Sequence, residues 1–250
     1  MNSFFAKISE FISAESTRYN IDYYTSTAIL FAPFLIVTFG FYGFIFPYTR
    51  HFAILMCREN YPVEILTFAF LFFAVVFGLL LFYKMIKLEY HYINIAFIGF
   101  FVFMMFFIAM EEIAWGQQFM NFRTPEYFRE INIQGEVTLH NIKGLQGHSE
   151  FFRFAFGVAG LIGIYLNRIK LFRIIAVPKI LIGGFTVISL ISLVDIYNDY
   201  YTIQLVFDRD MRWMSEIIEM MIAIAGFFYV WLLHRKIKFD NHLYKSAHTV

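Results

Sequence analysis

Six apolar segments, each long enough or nearly so to cross a bilayer, constrain this chain more than any other feature. A helix needs about 20 predominantly apolar residues to cross about 30 Å of hydrocarbon. Runs of that kind lie at 26–46, 64–83, 93–112, 151–167, 176–197 and 213–233. In hydrocarbon each backbone N–H and C=O must be satisfied within its own segment, so each run predicts a helix. Hydrophobic residues make up 60% of the chain and charged residues 16%, too little polar surface for a soluble domain of this size. The expected fold is all-α: a polytopic membrane helical bundle of about six transmembrane helices, read as one membrane domain over 1–250.

The flanks refine that picture. Residues 1–24 lack the continuous apolar core of a cleavable signal. Phe4, Ile8, Phe11 and Ile12 recur there at helical spacing, with Lys7, Glu10 and Ser13 between them. This predicts an N-terminal amphipathic helix, lying on the membrane surface or packed on the end of the bundle. The fourth span is short, and Arg153 near one end is expected to snorkel toward the headgroups. Pro178 sits at a tolerated first-turn position of the fifth. Gly157, Gly160 and Gly163, and the Gly183-Gly184 pair, offer the small surfaces on which membrane helices approach closely.

Lys and Arg set the expected orientation. Arg168, Lys170, Arg173 and Lys179 lie in the 168–179 connection, Lys84 and Lys87 in the 84–92 connection, and Arg235, Lys236, Lys238 and Lys245 in the 234–250 tail. Six spans put these regions on one side, and the positive-inside rule makes that side cytoplasmic. Both termini are then cytoplasmic in a multi-pass protein of the cell (inner) membrane, and 47–63, 113–150 and 198–212 are extracytoplasmic. The 113–150 loop is long enough to expect structure of its own. Thr124-Pro125-Glu126 reads as a helix start, with a capping hydroxyl, a first-turn proline and an acid at the positive dipole end. A short helix is expected over about 125–131, broken by the residues from Asn132 to Glu136.

The chemistry-bearing residues converge on the extracytoplasmic end. Glu111 and Glu112 close the third span, where an ionisable residue is costly unless paired or hydrated and is by default a functional candidate. Adjacent carboxylates repel, so one holds its proton or shares a cation. Trp115, Gln117 and Gln118 follow, and His140, Asn141, His148 and Glu150 stand in the loop. Ser192, Asp195 and Asp199 share a face of span five at that end, and Glu216 and Glu219 begin span six. Glu219, a turn deeper, is the stronger candidate of that pair, Asp195 is comparable, and Asp199 reads as solvated.

Glu111, Glu112 and His140 are the candidate catalytic residues, with His140 as general acid or base. Trp115, Gln117, Gln118, Asn141, Asp195 and Glu219 are candidate substrate contacts. Glu111, Glu112, His140 and His148 could also hold a divalent metal, since imidazole with carboxylate suits Zn, Fe or Mn; their spacing matches no standard ligand motif. Glu111 and Glu112 point about 100° apart on a helix. They need not share one ligand, and one of them could instead accept a hydrogen bond from Trp115 or an amide. In that case the pair belongs to a buried polar network that fixes the 113–150 loop to the bundle.

The ordered blocks Glu111-Glu112-Ile113-Ala114-Trp115-Gly116-Gln117, Thr124-Pro125-Glu126 and Asn132-x-Gln134-x-Glu136-x-x-Leu139-His140-Asn141 resemble a pattern in a family of uncharacterised bacterial multi-pass membrane proteins. The resemblance covers about 30 residues and implies a shared site, with no reaction attached. Gln118 departs from the basic residue expected there.

Several classes are excluded or disfavoured. A net charge of +1 and the lack of any basic run argue against nucleic acid as a partner. The single cysteine, Cys57, permits no internal disulfide and no cysteine metal site. Walker, dinucleotide and GxSxG fingerprints are missing, so no nucleotide cofactor is expected. Three functions remain. One is a membrane enzyme, a hydrolase or transferase using acid–base or metal-assisted chemistry on a lipid, lipid-linked or membrane-embedded substrate. The second is an ion- or proton-coupled transporter or channel component. The third is a non-catalytic assembly or sensor subunit of an envelope complex. The expected partners are membrane lipids, with a membrane-protein partner or a second copy of the chain left open.

Overall fold

A computed structural model of the protein describes residues 2–58, 61–120, 122–132, 135, 137–139, 142, 149–201 and 205–248. Among these residues the chain is helical, and its one β feature is an isolated antiparallel bridge between Asn132 and Ile142. Six helices are long and apolar enough to cross a membrane, over Tyr23–Ile45, Pro62–Lys87, Tyr92–Glu112, Ser149–Arg168, Lys179–Tyr201 and Leu205–Asn241. The protein is a multi-pass integral membrane protein, an all-α polytopic bundle.

In chain order the α-helices are α1 (Asn2–Tyr19), α2 (Tyr23–Ile45), α3 (Pro47–Met56), α4 (Pro62–Lys87), α5 (Tyr92–Glu112), α6 (Gln117–Met120), α7 (Glu126–Ile131), α8 (Ser149–Tyr165), α9 (Ile182–Tyr201) and α10 (Leu205–His248). The spans run longer than the apolar segments because polar first and last turns continue the helices. α10 extends through the segment expected to be a separate tail. α3 was not expected; it opens on Pro47, which fits a first helical position because its missing N–H has no partner there.

α1 does dock on the bundle. Ile12 and Tyr19 are buried, while Phe4 and Phe5 stay exposed. The Ser16 hydroxyl donates to the Ile12 carbonyl at 2.8 Å and accepts from the Ser26 hydroxyl at 2.7 Å. The Arg235 guanidinium donates to the carbonyls of Tyr19 and Asn20. Glu15 is buried against the chain before α9, and that burial raises its carboxyl above the usual range.

α10 is the central helix and packs against α4, α9, α2 and α8. Small residues set two of the approaches that build the site. A Cβ on Gly160 would fall 2.0 Å from the Phe185 ring, and one on Gly157 would fall 2.8 Å from the Ser189 backbone nitrogen, so α8 and α9 touch backbone to side chain. A Cβ on Gly226 would fall 2.8 Å from Met105 Sδ, so the Met105 side chain of α5 reaches α10 while the α5 backbone packs on α4. The bundle thus has a basic end, where α1, the 84–92 turn and the 166–181 connection meet the far part of α10, and an acid-rich end.

Candidate functional site at the acid-rich end

The two neighbouring glutamates of α5 have different surroundings. Glu111 is buried and accepts two short bonds at 2.6 Å, one from Trp115 Nε1 and one from the Leu139 backbone N–H. The first spans a left-handed turn in which Ala114, Trp115 and Gly116 have φ of 45°, 54° and 85°. That conformation costs an L-residue about 1–2 kcal/mol, and glycine is free of the penalty. Bonds to a charged acceptor contribute about 1.5–3 kcal/mol, enough to offset the strain at Ala114 and Trp115. Glu111 therefore ties the end of α5 to a strand of loop 28 positions away.

Gln117 continues the tie. Its amide nitrogen donates to the Thr124 hydroxyl at 2.7 Å and to the Phe122 carbonyl at 3.3 Å, and its amide oxygen accepts from the Val137 N–H at 3.0 Å. The Thr124 hydroxyl donates in turn to the Gly135 carbonyl at 2.6 Å. This corrects the expected helix start: the hydroxyl of Thr124 is spent on the loop, and Pro125 stands at the uncapped start of α7. Asn132 ends α7 as expected, and its amide donates to the Thr138 carbonyl and hydroxyl at 2.8 and 3.0 Å.

Glu112, one residue on, faces the bundle. Among the described residues the charges that act on it are those of Glu219 and Glu216, then Glu64 and Glu111, all acids. Helical register explains the first of these. α5 and α10 are antiparallel, and Met105 meets Gly226. Glu112 lies seven residues after Met105 and Glu219 seven before Gly226, and positions seven apart share a helix face. Cys57 stands near this cluster: burial, with Glu216 adding to it, pushes its thiol up to about 12.

Glu219, whose side chain is 34% exposed, also pairs with a buried arginine. Arg153 of α8 donates to Glu219 at 2.7 Å, to Asp195 of α9 at 2.8 Å and to the Ser149 hydroxyl at 2.9 Å. The arginine is only 6% exposed. This corrects the expectation that Arg153 snorkels. The glycine contacts of α8 hold it one turn from the α9 backbone, and a buried guanidinium needs carboxylate partners more than it needs water. Ser192, one turn below Asp195, is buried, and its hydroxyl has no hydrogen-bond partner among the described residues. Asp199 is exposed on the last turn of α9, and Glu150 is buried in the first turn of α8.

Of the residues singled out in the sequence, Glu112, Asp195 and Glu219 come together, and Glu111, Trp115 and Gln117 form the neighbouring loop tie. Gln118 lies on α6, with its side chain outside the described residues. His140, Asn141 and His148 also fall outside them, so the expected histidine pairing and metal set have no geometry here. Among the described residues no group of three or more His, Cys, Asp or Glu is placed to hold a metal ion. Arg153 and Glu64 joined the site without being expected there. The signal for Arg153 was available: it is the one cation in the first turns of α8, α9's acid-bearing face opposite it carries none, and Ser149 stands four residues before it.

No family model, no curated protein and no solved structure matches this chain.

Proposed function

We propose that this integral membrane protein is an enzyme, a hydrolase or transferase, working at the acid-rich end on a lipid, lipid-linked or membrane-embedded substrate. The observation that carries this reading is the division between two adjacent glutamates. Glu111 is committed to Trp115 and Leu139, whereas Glu112 is turned toward Glu219 and Glu216. Carboxylates that crowd one another in a poorly solvated setting separate into a proton donor and a proton acceptor, the pairing that acid–base catalysis uses. Glu112 is the proposed acid–base residue. Glu219 is paired with Arg153 and stands beside Glu112. His140 is the proposed second acid or base, and the loop fixed by Glu111 and Gln117 roofs the site. The basic end lies in the cytoplasm, by the positive-inside rule, and the site then opens to the outer leaflet of the cell (inner) membrane.

The test uses purified protein in native-lipid nanodiscs, with the lipid and lipid-linked species followed by mass spectrometry over time. Conversion of at least one species by the wild type, lost in Glu112→Gln at unchanged protein level, is expected. Equal conversion by the wild type and Glu112→Gln, or none by either, overturns the proposal. A second reading, a docking subunit of an envelope complex, draws on the exposed apolar residues beside the site, Met120 and Tyr127. Stoichiometric copurification with another membrane protein, lost on Met120→Glu and Tyr127→Glu substitution, would favour that reading.

A further inference from the structure

α1 overhangs a groove at the basic end, far from the acid-rich site. Phe4 and Phe11 of α1 form its roof, Phe31 and Phe34 of α2 one wall, and Thr186 of α9 part of the other. The groove is open along one side and has a volume of about 490 Å³, within the range of about 300–1,000 Å³ typical of ligand pockets. It exists because α2 and α9 meet along a narrow seam: a Cβ on Gly183 would fall 2.3 Å from the Leu30 carbonyl oxygen. The roof is anchored through the Ser16–Ser26 bond and through Arg235. Lys7 is the charged residue lining the groove; Glu10, one turn on, is exposed and not part of the lining. Lys170, Arg173 and Lys179 are exposed on the same end.

We propose that this groove binds one anionic phospholipid, with an acyl chain along the α2–α9 seam under α1 and the headgroup phosphate on the Lys7 ammonium. The walls are hydrocarbon, and they open among spans that lie in a membrane, so a lipid chain reaches them laterally without crossing water. The groove has room for little more than one turn of a partner helix, since a turn about 10 Å across and 5.4 Å long takes about 420 Å³. The lysine at the rim selects the headgroup, since a basic residue at an anionic membrane surface changes affinity by about fivefold.

Native mass spectrometry of the full-length protein, equilibrated in detergent with equal amounts of phosphatidylglycerol and phosphatidylcholine of identical chains, tests this. One phosphatidylglycerol retained in preference to phosphatidylcholine is expected. Lys7→Gln should lower that preference about fivefold, and Thr186→Trp, which fills the seam, should remove the retained lipid. Lys7 is exposed, so its variant folds even if Thr186→Trp does not. No retained lipid, equal retention of both lipids, or a preference unchanged in Lys7→Gln would overturn the proposal.

Discussion

The two ends of this bundle use polar groups differently. At the basic end single donors close carbonyls left open at turns: Tyr229 donates to Ile175 at 2.6 Å, Asn94 to Leu171 at 2.9 Å, and Arg235 to Tyr19. Each bond ties one chain segment to another, and Lys87, Lys170 and Lys179 around them are exposed. At the acid-rich end side chains from five spans gather: Arg153 holds Asp195 and Glu219, and Glu112, Glu216 and Glu64 stand in the same electrostatic cluster. A polar group that only fixes a turn needs one partner. A cluster of ionisable groups inside the bundle is costly to bury and points to use.

That contrast breaks most visibly at Arg153. Arg153→Met leaves Asp195 and Glu219 without their buried cation, and removing one partner of a buried ion pair costs about 3–5 kcal/mol. The expected outcome is a large loss of thermal stability in detergent and of protein in the membrane. An unchanged unfolding temperature would mean that the cluster is hydrated. Glu111→Ala comes next. It releases Trp115 Nε1 and the Leu139 N–H, two bonds of about 1.5–3 kcal/mol each. Limited proteolysis should then cut the 122–139 stretch faster while the spans stay intact.

The basic end should respond less. Tyr229→Phe leaves the Ile175 carbonyl unbonded in the core and should cost about 1–3 kcal/mol, read as a modest fall in unfolding temperature. The smallest effect is at Glu15. Burial raises its carboxyl, against the opposing pull of Arg18 and of the backbone N–H groups of Ile180 and Lys179. An acid with a raised folded-state pKa binds its proton more tightly when folded, so folding is favoured below the usual carboxylate range and weakens as pH rises through the raised value. Amide exchange in α1 should therefore speed up with pH beyond its intrinsic rate, and Glu15→Gln should abolish that extra dependence.

Much of the fold was legible in the sequence, because hydrocarbon leaves a 20-residue apolar run no choice but helix. Orientation of the spans relative to one another was legible for the same reason: Lys84, Lys87, Arg168 and Arg235 fall at one end. The site was legible as a place rather than as a set of bonds. Glu111 and Glu112 were expected to diverge by about 100°, and they do. The partners of Glu111 depend on where a loop 28 residues on returns, which no local pattern encodes. Arg153 was misread for a related reason. A lone arginine near a helix end looks like a snorkelling residue until α9 and α10 bring carboxylates from 42 and 66 positions away. Thr124 has the composition of a cap, and a competing acceptor at Gly135 took its hydroxyl.

The division of labour between Glu111 and Glu112 is tested most directly by measuring conversion of membrane lipid species in nanodiscs holding equal amounts of wild type, Glu111→Gln and Glu112→Gln, each with its unfolding temperature. Glu112→Gln should unfold as the wild type does and convert nothing, whereas Glu111→Gln should lose loop stability and keep part of the conversion. Full conversion by Glu112→Gln would contradict this assignment.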